Sequence, residues 1–396
     1  MLENISFFEA MEKCLNVMKE ISITKNVFIY DALGEVLAED IKATRNSPSF
    51  NNSAMDGFAF KHSENKKLKI VKTIYAGDKF ENFEIKEDEC VKIMTGARIP
   101  LGVDTVVPIE KCMKITDEYI EIPDIKKGAN IRIKGEEFKK GEILLKKGEV
   151  LSSNKLALLV SQGIVNVKIF QKPRIAILST GNELKEPWEI ASEDEVYNVN
   201  SHSIKLLLKE NGFDSDIIGI IPDSLEKSIK FIASLKERYD VIITSGGISF
   251  GEKDFMYNAF LKNNLNPLFH GIMVKPGRPT MVGIMDNVVV FALPGNPLSA
   301  YLNAFMLVVP SLKKMSGTTK YFPLKIKAIN DEEFKVNPKK DHTALGIYKD
   351  GKWKVIKKYK YTSGMVSALA SSNSITIIKK GREVIKKGEE LEVYLI

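Results

Sequence analysis

Histidine and cysteine are both scarce in this sequence. Four histidines, His62, His202, His270 and His342, occur in 396 residues, which excludes a histidine-rich metal centre. Any metal is expected to be a hard cation held by carboxylates and phosphate oxygens. The three cysteines, Cys14, Cys90 and Cys112, are far apart and form no Cys-x-x-Cys pair. That excludes a disulfide framework or zinc cluster and fits a reducing, cytoplasmic compartment. No apolar run approaches the ~20 residues that span a bilayer, and no signal-peptide pattern opens the chain, so no membrane association is expected. A Gly-x-x-x-x-Gly-Lys-Ser/Thr loop, a Gly-x-Gly-x-x-Gly fingerprint and a Ser-His-Asp arrangement are all missing. Dinucleotide redox work and covalent acyl chemistry drop out with them. Low-complexity tracts and long linkers are absent as well.

What is present is the composition of an ordinary globular protein, 44% apolar and 28% charged. At ~150 residues per domain the length predicts two to four domains. The net charge is +7, but residues 311–396 alone carry +10. Their lysines are scattered through strand-like segments without a recognition helix or a run of five, so no nucleic-acid partner is expected.

Hydrophobic period divides the chain. Ser6-Phe-Phe-Glu9 is a capping box, followed at helical spacing by Ala10, Cys14, Val17 and Ile21. A short helical stretch is expected from Tyr30 to Leu37. Short strands and turns follow over 57–122, then glycine turns at Gly128, Gly135, Gly141 and Gly148 that read as a β-ribbon, and a helix from Ser153 to Gln162 with Gly163 as its cap. From Pro173 the pattern becomes β-α. Strands 174–178, 216–221, 241–244 and 288–292 alternate with helices, one of them capped by Asn200 or Ser201 and one by the box Asp223-Ser-Leu-Glu226. Beyond Thr319 alternation returns, as in a small β-barrel or sandwich. The expected division is 1–56 with 128–170 as an elongated N-terminal and linker unit, 57–127 as a small β-rich unit, 171–318 as a doubly wound α/β domain, and 319–396 as a C-terminal β-barrel.

Two loops carry the clearest chemical signal. The buried-strand run before Thr244-Ser245-Gly246-Gly247-Ile248-Ser249 ends in a glycine-hydroxyl loop leading into a helix at Asp254. Leu293-Pro294-Gly295-Asn296-Pro297 repeats that arrangement. Glycine-freed backbone N–H groups beside helix N-termini bind anions, so the pair points to a phosphate-bearing ligand across one sheet edge. Each loop alone reads equally as a tight turn. Glu183, Asp223 and Asp254 fall at or near three strand ends, where they could share a cation; helix capping explains Asp223 and Asp254 as well. Lys275-Pro276-Gly277-Arg278 adds two cations on a stiff loop. In the N-terminal half, Asn51-Asn-Ser-Ala-Met-Asp56-Gly57 centres small polar residues on one acid, as a metal ligand, an orienting carboxylate or an Asx turn. Lys92-Ile-Met-Thr95-Gly96 is a strand with a hydroxyl-glycine turn. Asn130-Ile-Arg132 with Glu136-Glu137 sets a guanidinium beside two carboxylates, as an exposed ion pair or an oxyanion grip.

Taken in order, these motifs resemble the molybdopterin molybdenumtransferase family, the MoeA proteins and the gephyrin E domain. The resemblance rests on Ser53-Ala-Met-Asp-Gly57, Met94-Thr-Gly-Ala97, Asn130-Ile-Arg132 with Gly135-Glu136, Ser179-Thr-Gly-Asn-Glu-Leu184, Tyr197-Asn198, Pro222-Asp223, Thr244 to Ser249 with Gly251 and Asp254, Lys275-Pro-Gly277 and Leu293 to Pro297. It implies an elongated homodimer whose α/β domain is shared with molybdopterin adenylyltransferases. The activity it implies is magnesium-dependent insertion of molybdate, or tungstate, into adenylylated molybdopterin with release of AMP. Partners would be the adenylyltransferase and acceptor molybdoenzymes. By motif match, Asp56, Thr95, Glu183, Asp254 and Lys275 are expected to be catalytic. The ligand would meet Arg132, Asp223, Ser245, Gly246, Gly247, Ser249, Arg278, Pro294, Gly295 and Asn296, and the metal Glu183, Asp223 and Asp254. The chain departs from the family pattern at Phe58, Glu137, Gly271 and Arg278, and Asp341-His-Thr-Ala-Leu345 lacks an expected arginine. An adenylyltransferase or nucleotide-pyrophosphate hydrolase on the same α/β domain, and a non-catalytic scaffold, are the competing readings.

Overall fold

The computed structural model describes residues 5–81, 83–221, 224–247 and 255–396. It divides into two compact units. The larger comprises Met1–Ala38, Gly148–Leu151 and Val167–Ile396, the smaller Glu39–Lys147 and Ser152–Asn166.

In the larger unit, six strands form one sheet in the order Asp216–Ile221, Ile175–Thr180, Val241–Ser245, Val288–Leu293, Met281–Met285, Leu265–His270. The first four run parallel, and Met281–Met285 is antiparallel to both its neighbours, Val288–Leu293 and Leu265–His270. Alternate side chains of one strand enter different cores. Ile175 and Ile177 pack with Ile204, Leu207 and Leu298, while Ala176 and Leu178 pack with Ile232, Leu235 and Phe260. Burial on both faces is why the parallel strands read as unbroken apolar runs, and it places helices on both sides. The register sets Ser179 opposite Ser245, Ser245 opposite Leu293 and Thr180 opposite Ile221. The C-terminal ends of all four parallel strands therefore lie at one level.

The C-terminal part closes into a five-stranded barrel. Lys325–Asn330, Asp341–Lys349, Lys352–Val355, Ser374–Ile378 and Glu390–Leu395 pair in a ring, completed by Asp341–Lys349 against Ser374–Ile378. Inside it, Gly346 lies against the Trp353 indole, where a Cβ would fall 2.1 Å from a ring atom. The short strand Val274–Lys275 pairs with Asp341–His342 and so fastens the Lys275 loop to the barrel.

The smaller unit holds a six-stranded sheet ordered Thr105–Pro108, Gly57–Phe60, Glu89–Ile93, Lys67–Ile74, Tyr119–Glu121, Lys114–Ile115. Phe58, Phe60 and Val107 face one core, and Ala59, Val91 and Val106 the other. Cys90 is buried in it, and burial pushes its thiol up to about 12, so it is inert. All three cysteines are free.

Several local expectations change. The capping box at Ser6 and Glu9 forms, but its helix, Phe7–Val17, ends before Ile21. Between Tyr30 and Leu37 only the end of a 3₁₀ turn, Ile29–Asp31, is helical. The helix Val199–Glu210 is capped by Asn198, whose side chain accepts from the Ser201 N–H, and not by Asn200 or Ser201. The glycine turns at Gly128, Gly135, Gly141 and Gly148 all have positive φ. The strands between them, Ile131–Arg132 and Ile143–Leu145, pair with Asn52–Ser53 and Ile41–Lys42, so they form no common ribbon. The box expected at Asp223 lies outside the described residues.

Candidate active site

Asp56 stands on a turn whose backbone is tied on every side. Ser53 Oγ donates to the Met55 carbonyl at 2.6 Å and the Gly96 N–H to the Ser53 carbonyl at 2.8 Å. The Ala54 N–H donates to the Asn130 carbonyl, and Ile109 N–H to that of Asp56. Gly57 fits because a Cβ there would lie 2.0 Å from the Val107 carbonyl oxygen. The Asp56 carboxylate accepts from both the N–H and the hydroxyl of Thr95, each at 2.7 Å. These bonds, the hydroxyl's first, hold its pKa below the usual carboxylate range. Two motifs nearly 40 residues apart thus meet as one exposed, ionised acid with fixed orientation.

Arg132 does not pair with its sequence neighbours. The Glu136 carboxylate accepts the Ile133 N–H at 2.7 Å, and Glu137 accepts the Ser47 hydroxyl at 2.5 Å. Among the described residues the exposed Arg132 guanidinium meets neither acid, so the expected ion pair is absent.

At the strand ends of the larger unit, Ser179 Oγ joins Ser201 Oγ at 2.7 Å, Asn198 Oδ1 at 2.9 Å and Ser245 Oγ at 3.0 Å. This buried network locks adjacent strand ends. Gly246 and Gly247 both have positive φ, 84° and 64°, and the Gly246 N–H donates to the Leu293 carbonyl. A Cβ at Gly295 would lie 3.7 Å from the Gly246 Cα. The two glycine loops therefore abut, as the ligand reading requires. Asn200 Nδ2 holds the second loop through the Gly295 carbonyl at 2.8 Å. Glu183 is exposed past the first strand, its carboxylate folded back so that a Cβ at Gly181 would sit 2.6 Å away.

Beside the second loop opens a cleft of about 440 Å³, the size of a small-molecule site. Lys275, Arg278, Pro294, Asn296 and Ser299 line it, joined by Lys340, Tyr359, Tyr361, Thr362 and Ser363. Three cations and no acid line it among the described residues, which suits a polyanion. Burial raises the pKa of Tyr359 and Tyr361, so both phenols stay protonated. The Tyr359 hydroxyl and His342 Nδ1 share a hydrogen bond at 2.7 Å, and burial lowers the pKa of that imidazole. Asn303 Nδ2 fixes the Lys275 loop through the Gly277 carbonyl at 3.0 Å.

The structure thus brings Asp56 and Thr95 together, and separately gathers Ser245, Gly246, Gly247, Pro294, Gly295 and Asn296, with Lys275 and Arg278 in the adjoining cleft. Asp223, Ser249 and Asp254 lie outside the described residues. Lys340, Tyr359 and Tyr361 were missed. They come from the C-terminal part, more than 40 residues from the nearest motif of the α/β part, and no local pattern marks them.

A molybdopterin molybdenumtransferase of Staphylococcus aureus (strain COL) is 31% identical over 404 residues, covering 98% of this chain and 94% of that protein. The chain belongs to the molybdopterin molybdenumtransferase family. The Staphylococcus epidermidis (strain ATCC 35984) protein of the same name is 32% identical over 409 residues, 99% and 95% of the two chains. Family models match along the sequence: the MoeA N-terminal region (domain I and II) over 5–163, the "Probable molybdopterin binding domain" over 176–314 and the MoeA C-terminal region (domain IV) over 327–396. The crystal structure of the molybdopterin biosynthesis moeA protein from Pyrococcus horikoshii OT3 superposes with a TM-score of 0.87 at 29% identity, covering 100% of each chain. Family membership thus accounts for the N-terminal β-rich region, the α/β domain and the barrel together.

Proposed function

We propose that this protein inserts molybdate into adenylylated molybdopterin and releases AMP, as a step of molybdenum cofactor biosynthesis. The observation that carries this reading is the row of glycine loops at one level of the parallel strand ends, opening on a cleft lined by Lys275, Arg278 and Lys340. A phosphoanhydride is cut while an oxyanion metal is captured by a dithiolene. That chemistry needs placement and charge neutralisation more than a protein nucleophile. Backbone N–H groups of Gly247, Gly295 and Asn296 cradle the nucleotide phosphates, and Lys275 and Arg278 balance the remaining charge. Asp56, ionised and oriented by Thr95, directs the reacting centre, with Arg132, whose strand pairs with Asn52–Ser53, gripping an oxyanion.

The magnesium of this reading is proposed to sit at the first strand end, although no group of three or more acids, histidines or cysteines gathers among the described residues. Glu183 offers an exposed carboxylate without a basic partner among the described residues, the hard oxygen ligand such an ion takes beside phosphate oxygens. Asp223, Asp254 and Ser249 are proposed to complete that edge. The cation's contribution is neutralisation of phosphate charge.

The working form is proposed to be a cytoplasmic homodimer. Ile23, Phe28, Tyr30 and Leu33 are 60%, 46%, 82% and 62% exposed within one stretch, apolar side chains that a second subunit would cover. No described helix is long and apolar enough to cross a membrane. The partition into 1–56 with 128–170, 57–127, 171–318 and 319–396 is our proposed domain division. The adenylyltransferase upstream and acceptor molybdoenzymes downstream are the proposed partners. A hydrolase or adenylyltransferase reading leaves the Asp56–Thr95 pair unused and is not favoured.

The test incubates purified protein with adenylylated molybdopterin, magnesium and molybdate or tungstate. AMP release that requires oxyanion and magnesium is expected; release indifferent to oxyanion would make the protein a hydrolase. Mixing Thr95→Ala with Lys275→Ala subunits is expected to restore about one site per heterodimer if clefts are shared.

A further inference from the structure

His342 is buried, 1% exposed, behind two of the cations that line the cleft. Its backbone is the strand partner of Lys275. Its Nε2 meets the main chain of Asn337, 3.1 Å from the N–H and 2.9 Å from the carbonyl oxygen. Asn337 closes the turn that carries Lys340. Its carbonyl accepts the Lys340 N–H at 3.5 Å and its Oδ1 the Lys339 N–H at 2.9 Å. At the other ring nitrogen, Nδ1 lies 2.7 Å from the Tyr359 hydroxyl, which reaches the Lys275 carbonyl at 3.4 Å. One imidazole thus touches the supports of both lysines, and both lysines face the same cleft.

The available protons favour one arrangement. Burial lowers the His342 pKa, so near neutral pH the ring has one N–H and one bare nitrogen. With the proton on Nε2, the ring donates to the Asn337 carbonyl, and Tyr359 gives its only proton to Nδ1. The Asn337 N–H and the Lys275 carbonyl then lose these partners. With the proton on Nδ1, the Asn337 N–H donates to Nε2, Nδ1–H to the Tyr359 oxygen and the Tyr359 O–H to Lys275. Every donor is matched, and the bonds run in one direction from the Lys340 turn to the Lys275 loop. Tyr359 reaches this place on a strained backbone. Lys357, Lys358 and Tyr359 have φ of 47°, 54° and 63°, a left-handed run of residues that normally enter that region singly. Such strain persists where the surroundings over-determine it. Here the Tyr359 ring is held among Phe334, His342 and Tyr361, with centroids at 5.7, 5.6 and 5.4 Å. We propose that His342 and Tyr359 are positioning residues that set Lys275 and Lys340 in register for one anionic group of the substrate. They act through the two lysines. The proposal rests on the cleft being the anion site of the reaction.

The experiment titrates the full-length protein with inorganic pyrophosphate and with molybdate by calorimetry, with a thermal melt beside each variant. At least one anion is expected to bind, and to bind about tenfold more weakly to Lys275→Ala and to Lys340→Ala. Tyr359→Phe keeps the ring and removes the hydroxyl. It is expected to weaken binding about three- to tenfold, and to have no further effect in a Lys275→Ala background. His342→Gln, whose amide replaces Nε2, keeps the Asn337 contact, so its loss is expected to vanish with Lys275→Ala. His342→Asn, whose amide replaces Nδ1, keeps the Tyr359 contact, and its loss is expected to vanish with Lys340→Ala. In turnover, Tyr359→Phe is expected to raise KM for the substrate carrying the bound anion by the same factor while kcat holds. Absence of binding by either anion at millimolar concentration, or binding that both lysine variants leave unchanged, overturns the proposal. So does a Tyr359→Phe loss that is equal with and without Lys275, or a lowered melt with unchanged affinity. Oxyanion-dependent AMP release by the parent, measured in parallel, separates the outcomes. If the parent releases no AMP yet Tyr359→Phe stays coupled to Lys275, the reaction assignment falls and the positioning stands. If AMP release persists without that coupling, only the positioning falls.

Discussion

In the smaller unit the candidate chemistry is one exposed carboxylate, Asp56, held by two 2.7 Å hydrogen bonds from Thr95. In the larger unit it is the reverse, a cleft edged by Lys275, Arg278 and Lys340 beside backbone N–H groups freed by glycine. Acid and cations are built by different means. Asp56 depends on a side chain brought from a distant turn, so its setting is specific to one pair of residues. The strand-end loops depend on backbone geometry, which any sequence with glycine at the required positions supplies. The carboxylate is therefore expected to govern turnover and the loops to govern affinity, and substitutions in the two regions should part along that line.

The largest effect is expected at Asp56. Asp56→Asn keeps the turn and loses the charge, so kcat falls on the order of 100-fold or more while the melting temperature holds, because the side chain is exposed. Activity within a few-fold of the parent would leave Asp56 as a turn residue.

On the other side of the comparison the useful glycine is Gly295. A Cβ at Gly246 would lie 2.8 Å from the Thr180 carbonyl oxygen at φ +84°, so Gly246→Val loses stability as well as affinity. At Gly295 the nearest atom would be 3.7 Å away. Gly295→Val is expected to weaken adenylylated-molybdopterin binding about 10- to 100-fold, one or two charge-assisted bonds, with a nearly unchanged melt. Calorimetric titration beside the melt decides it. Unchanged affinity would make the loop a structural turn.

Thr95→Val removes the hydroxyl and keeps the backbone donor, so a loss of about tenfold is expected. The pH profile sharpens the point. Thr95 lowers the Asp56 pKa, so the ionised form, and any stability tied to it, persists to lower pH in the parent. Without the hydroxyl that pKa rises, and the acid limb of kcat is expected to move to higher pH. An unmoved limb would mean another group sets it.

Much of this was legible from sequence where function follows local pattern. The runs ending at Ser245 and Leu293 are β-branched and apolar because both faces are buried, and their loops follow directly. The antiparallel edge, Leu265–His270 and Met281–Met285, was not, since Pro267 and Gly283 interrupt it. Asn198 was passed over as a cap because Asn200 and Ser201 compete for the same role within three residues. At the site, each motif was visible but its partner was not. Thr95 on Asp56, and Lys340 and Tyr359 in the cleft, are long-range contacts that no spacing encodes. Arg132 and Glu137 show the converse, for adjacency suggested a pair that the fold gives to Ser47 instead. Glu137→Gln is accordingly expected to change turnover less than about twofold, as an exposed contact does, and a tenfold loss would reopen a role for that carboxylate.

The most direct test of the division measures binding and chemistry on one variant. For Asp56→Asn, affinity for adenylylated molybdopterin is expected to stay within about threefold of the parent, while AMP release and molybdenum capture in a single turnover fall together about 100-fold or more. Parallel loss of binding, or AMP released at the parent's rate, would contradict it.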